Sequence, residues 1–185
     1  MLFRSERIDE YGNSLGVISD HVGISSASTW RRLLQFLRNA SIFNFTYGLM
    51  RTGVLRRTRL YGLYPMSDRV LFAEMAMCGE LLEVREPLYR LRLHSGRSLQ
   101  MHATAQARRE LFDPSCAGKR HLLPIAWRVY VELVSGAWRT PPRLPEKVAC
   151  VAVALVVPPW LSFRNFGGRW KRRLLSGVRR SLRFG

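Results

Sequence analysis

The stretch SDRVLFAEMAMCG, residues 67–79, constrains the fold more than any other part of the chain. Leu71, Glu74, Met75 and Cys78 recur at i+3 or i+4 spacing, which predicts a helix over 68–78. Ser67 stands where an N-cap belongs, Asp68 and Arg69 fall in the first turn, and Gly79 occupies the C′ position. Glu74 and Glu80 read as surface charges. Soon afterwards LYRLRLH, residues 88–94, alternates strictly. Tyr89, Leu91 and Leu93 point one way, and Arg90, Arg92 and His94 point the other. That strand carries two guanidiniums and an imidazole on a single face.

Other elements read less sharply. The first 25 residues are polar and broken by Gly12, Gly16 and Gly23, which suggests a connecting segment with a turn at Asp9–Gly12. SSASTWRRLLQFLRNA places Trp30, Leu33, Leu34 and Leu37 at helical spacing behind Ser and Thr caps. SIFNFTYGLM, 41–50, is aromatic and β-branched and reads as strand-like, RTGVLRRTR as a short helix or turn, and YGLYP as a loop. LLEV is β-compatible, and Pro87 interrupts the chain between it and the alternating strand. From residue 101 onward the pattern is helical, with a Pro-rich break at 139–146. No repeat of 20 to 50 residues occurs.

Composition narrows the function. The chain has 185 residues, enough for one domain or a domain with a tail, and its 47% apolar content is that of a globular protein. Its 30 Lys+Arg against 13 Asp+Glu give a net charge of +17. Such a chain seeks polyanions: nucleic acid, an anionic membrane surface or a phosphorylated substrate. No helix-turn-helix, zinc or RNA-binding signature accompanies the charge, so specific nucleic-acid binding is not expected. Cys78, Cys116 and Cys150 are isolated, which argues against a zinc site or a disulfide framework and fits a reducing compartment. MLFRSERIDEYGN has no apolar core of the kind a secretory signal needs. Residues 148–163 are 16 in a row without formal charge, short of the roughly 20 a membrane span needs. With Pro158 and Pro159 they read as a buried or interfacial helix. Residues 164–185 carry eight basic residues and no acid, interleaved with Trp170, Leu174, Leu175 and Val178, a pattern suited to an anionic bilayer surface.

The stretch YGLMRTGVLRRTRLYGLYPMSDRVLFAEMAMCGELLEVREPLYRLRLHSGRS resembles the C-terminal part of bacterial family-2 glycosyltransferases of the GT-A type. The positions that carry the likeness are Gly48, Leu49, Arg51, Leu55, Thr58, Asp68, Leu71, Gly79, Glu86, Pro87, Leu88, Arg92, His94 and Ser98. MLFRSERIDEYGN is similar to the family's "iD-x-x-G" segment, and FDP at 112–114 to the tail of a subgroup. The resemblance covers roughly residues 3–140. It implies an α/β nucleotide-diphosphosugar transferase fold, present here as its C-terminal portion: mostly helical, with a small sheet remnant and a helical extension. The expected division is core over 1–100, helical extension over 101–144, and apolar then basic amphipathic helices over 145–185.

The resemblance also implies roles. Asp68 becomes the general base on an acceptor hydroxyl. His94 becomes a ligand of a divalent metal, Mg or Mn, and Arg92 with Arg90 grips the donor diphosphate. The chemistry is consistent, because a sugar hydroxyl is a poor nucleophile and needs a base, and a departing diphosphate needs cations. The implied partners are a nucleotide-sugar donor, a glycan or lipid-linked acceptor and an anionic membrane surface, with a cytoplasmic location at the inner face of the membrane. The sequence departs from the family in two ways. The helix starts Ser67–Asp68, with one acid where two are usual. The only aspartates are Asp9, Asp20, Asp68 and Asp113, so no D-x-D metal motif exists. The chain is therefore expected to correspond to the back half of such an enzyme, with a sheet edge left bare. The alternative is a non-catalytic basic protein that binds membrane surfaces or nucleic acid.

Overall fold

A computed structural model describes residues 2–18, 24–39, 44–94, 104–117 and 123–158. The fold is mixed α/β, mostly helical with one small sheet. Strands β1 (Leu2–Ile8) and β2 (Ser14–Ile18) form a hairpin. Then come α1 (Thr29–Asn39), a 3-10 turn at Asn44–Tyr47, and the single-turn α2 (Thr52–Leu55). Helix α3 (Ser67–Cys78) leads to β3 (Glu83–Arg92). The later helices are α4 (Ala105–Phe112), α5 (Ile125–Arg139) and α6, whose described part covers 144–158. No described helix is long and apolar enough to cross a membrane. Residues 164–185, expected on a bilayer surface, lie outside the described residues.

The first segment is a hairpin and not the connecting stretch expected. Ser5 and Ile8 are buried while Arg7 is exposed; the odd spacing puts the two buried side chains on opposite faces of β1, so no alternating pattern marks the strand in the sequence. The charges pair across strands: Arg4 with Glu83 at 3.1 Å and Glu6 with Arg90 at 3.1 Å. The turn falls where Gly12 predicts it. Asp9 accepts from the amides of Tyr11 (2.9 Å) and Asn13 (2.8 Å), an Asx-type closure, and Gly12 adopts φ +97°.

The sheet order is β2-β1-β3, with β1 antiparallel to β2 and parallel to β3. Pro87 does not end β3. The register jumps from Phe3–Val84 to Arg4–Pro87, so Arg85 and Glu86 bulge out, and β3 is an edge strand of the described sheet. Both conditions let a residue without an amide donor sit in a strand. The segment 44–47 is a 3-10 turn and not a strand; Tyr47 stacks on Tyr89 of β3 at 4.3 Å instead of pairing its backbone.

Helix α3 is the centre of the core. Val70 through Met77 are all buried, so α3 has no solvated face. Leu33 and Phe36 of α1, Leu133 and Ala137 of α5, and Cys150 and Ala154 of α6 close around it. Both ends differ from expectation. The residue preceding the helix is Met66, in the left-handed region at φ +66°, and Ser67 is its buried first residue, making no side-chain cap. Gly79 is extended, with no left-handed C′ turn. The C-terminal carbonyls are met by Arg32, which donates to Ala76 O at 2.7 Å and Met77 O at 2.9 Å. A guanidinium there also complements the negative end of the helix.

Glu74 is buried at 1% exposure, contrary to the surface position its charge suggested. Its carboxylate is bonded to the Arg139 guanidinium and accepts from the Arg59 amide at 2.9 Å. Burial pushes its pKa up, while the Arg59 amide and Arg139 charge pull the other way. Gly136 on α5 makes room for it: a Cβ there would lie 2.8 Å from Glu74 Oε1 and 3.2 Å from Cγ. Gly-to-Ala in a compatible site stabilises by about 0.4–1 kcal/mol. Gly136→Ala is expected to destabilise by about 1–3 kcal/mol, because a tethered carboxylate must move. Urea unfolding of the two proteins reads that sign directly.

Candidate functional site

Asp68 occupies the first turn of α3, half-buried, where the 59–66 segment meets the helix. Its Oδ1 accepts from the Arg69 amide at 2.9 Å. An ordinary first-turn acid faces the positive helix end, which favours its charge. Asp68 shifts the other way: burial raises its pKa, and the Arg69 amide and charge only partly offset this. A carboxylate held above its ordinary range is a stronger base.

That direction sets how stability depends on pH. The folded pKa lies above the unfolded value, 3.8. The contribution of this group to stability is therefore fully present below 3.8 and is lost as pH rises through the folded pKa. Asp68→Asn should gain stability relative to the parent as pH rises through that window. An ordinary helix-start acid would give the opposite trend. Urea melts from about pH 3, below the unfolded value, up to pH 7 decide it.

Arg90, Arg92 and His94 are all exposed, as the alternation predicts, but β3 ends at Arg92 and His94 follows it. Arg90 Nε donates to Glu6, and Arg92 Nη1 donates to the Glu10 carbonyl at 2.5 Å. Among the described residues no hydrogen bond or ion pair joins Asp68 to this trio. No group of three His, Cys, Asp or Glu side chains comes together among the described residues, and His94 follows closely on two exposed guanidiniums, which repel a cation.

A second region was not legible in the sequence. A cleft of 680 Å³ opens between the 59–65 loop, α4 with the turn after it, and the first half of α5. Arg59, Arg109 and Arg128 line it, with Glu132 and Asp113. Glu132 is shared, 3.0 Å from Arg59 and 2.9 Å from Arg128. Arg128 also lies over the Tyr64 ring, 5.3 Å from its centroid. The Tyr64 phenol is pushed up to about 12, by burial first and by the Glu132 charge second, so it stays a proton donor at neutral pH. A Cβ at Gly62 would lie 2.1 Å from that ring, so glycine lets the loop fold over Tyr64. Neither Asp68 nor the strand trio is among the lining residues. The three arginines come from distant segments, and the Gly–Pro loop YGLYP was their only local signal.

Comparison with protein-family models, curated proteins and solved structures finds no match to this chain.

Proposed function

We propose that the chain is the acceptor-side portion of a family-2-like glycosyltransferase, with Asp68 as the base. The observation that carries this reading is a single carboxylate fixed at a helix start with its pKa raised by burial. It coincides with the residue that the resemblance assigns to that role. In the reaction, the carboxylate takes the acceptor hydroxyl proton as that oxygen bonds to the anomeric carbon. The bond from that carbon to the diphosphate breaks, and its electron pair leaves with the nucleoside diphosphate. Arg92 and Arg90 are the cations proposed to meet that charge, with both currently engaged by Glu6 and the Glu10 carbonyl. The donor is a nucleotide sugar, and the acceptor a glycan or a lipid-linked saccharide.

The net charge of +17 favours a second reading, a non-catalytic module at an anionic membrane surface. Membranes from cells co-expressing the full chain with a donor-binding half that carries D-x-D, the motif this chain lacks, distinguish the two. Transfer of labelled sugar from a nucleotide-sugar panel into the glycan or lipid fraction, above a vector control, is the expected result. No transfer from any donor, with the chain still membrane-bound, overturns the first reading in favour of the second.

A further inference from the structure

We propose that the cleft between the 59–65 loop, α4 and α5 binds a phosphate ester carrying a long apolar chain, its head on Arg109 and Arg128 and its chain over Leu60, Leu63 and Leu123. The lining has two characters. Three guanidiniums face two carboxylates, and one of those, Glu132, is already divided between Arg59 and Arg128. The Asp113 carboxylate accepts from Ser115 and from the Cys116 thiol. The balance favours an anion, and guanidiniums suit phosphate oxygens.

The other character is apolar. Leu60, Leu63 and Leu123 are 54%, 73% and 62% exposed at the same cleft. Lining the same cleft as the cations, these leucines offer an apolar surface on which a chain can lie. A bare phosphate would leave them wet, and a neutral chain would leave the arginines unmatched. The volume lies within the usual range for small-molecule sites, roughly 300–1,000 Å³. The backbone adds an independent sign. Leu60 at φ +59° and Met66 at φ +66° bracket the cleft-forming loop, and both are non-glycine residues in the left-handed region. Such conformations persist where surrounding structure imposes them, and they cluster at ligand clamps.

The inference stands apart from the transferase reading, because binding is measured without sugar donor or turnover. The probes for the full chain are dodecyl phosphate below its micelle concentration, inorganic phosphate, and dodecyl maltoside as a neutral-headed chain. Calorimetry should give dodecyl phosphate the tightest binding, with each other probe at least about tenfold weaker. Because the chain is so basic, charge alone must be controlled. Arg109→Gln with Arg128→Gln should weaken dodecyl phosphate by about tenfold or more. Arg85→Gln with Arg143→Gln removes the same charge away from the cleft and should stay within about twofold. Leu63 is 73% exposed, so Leu63→Ser leaves the fold intact and should weaken binding by about threefold or more. Equal losses in the two double variants would reduce the effect to general electrostatics and overturn the proposal. So would inorganic phosphate binding as tightly as the alkyl ester, or no binding of dodecyl phosphate.

Discussion

Arg32→Ala is expected to lower the unfolding free energy by about 3–5 kcal/mol, a large share of what holds a domain of this size together. The side chain is 8% exposed and its guanidinium is fanned between two places. Nη1 donates to Ser26 O at 2.7 Å and Ala27 O at 3.2 Å, in the approach to α1. Nε and Nη2 donate to Ala76 and Met77, in the last turn of α3. Truncation leaves several carbonyls without a donor and opens a void beside the core. A stranded buried acceptor costs about 1–3 kcal/mol, and the contributions of one network are not additive. Arg32→Lys separates charge from geometry. Lysine keeps the charge, but one ammonium cannot span both sets of carbonyls, so it should recover less than half of the loss. Urea unfolding followed by circular dichroism measures both. A loss below about 0.5 kcal/mol for Arg32→Ala would mean that water or neighbours replace the network.

Arg32 also marks the limit of what the sequence can show. Helix α1 was legible from Trp30, Leu33 and Leu37, but Arg32 stood among them as one more charge of a basic helix. Only the tertiary partner, the end of α3, gives it a task, and that end is why Gly79 needs no left-handed turn. Glu74 failed for the same reason: its partners, Arg59 and Arg139, are remote in sequence. The part of β3 over 88–92 was legible because alternation is a local property, while its start at Glu83 and its passage through Pro87 were not. The pairing of β1 with β3 was not, since Arg4 and Glu6 read as polar until Glu83 and Arg90 of β3 stand opposite them. The Asp9–Gly12 turn was legible, because an Asx closure and its glycine are both local. Of the candidate site, the positions of Asp68 and of the Arg90–His94 face were legible. The cleft was not, because its lining is assembled from 59–65, 109–116 and 123–132.

The largest expected effect concerns Asp68. If the carboxylate takes the acceptor proton, Asp68→Asn should lower kcat/KM for sugar transfer by about 10²–10⁴, the usual worth of a positioned general base. The amide keeps the shape and can still accept from the Arg69 amide, so geometry is not the variable. The parent profile should fall on the acid side, where the base is protonated. Because burial raises the carboxyl above 3.8, that limb lies higher in pH than for a free aspartate. In the variant the limb should vanish along with most of the rate. A merely structural acid predicts otherwise: altered stability, an unchanged rate per folded molecule and an unmoved limb. Initial rates of the full chain across pH, normalised to the folded fraction, separate the cases. A variant that keeps more than about one-tenth of the parent rate removes Asp68 from the chemistry, because a lost general base costs more than that. The raised carboxyl would then be a by-product of packing α3 on all sides, and the cation-lined cleft would become the better guide to function.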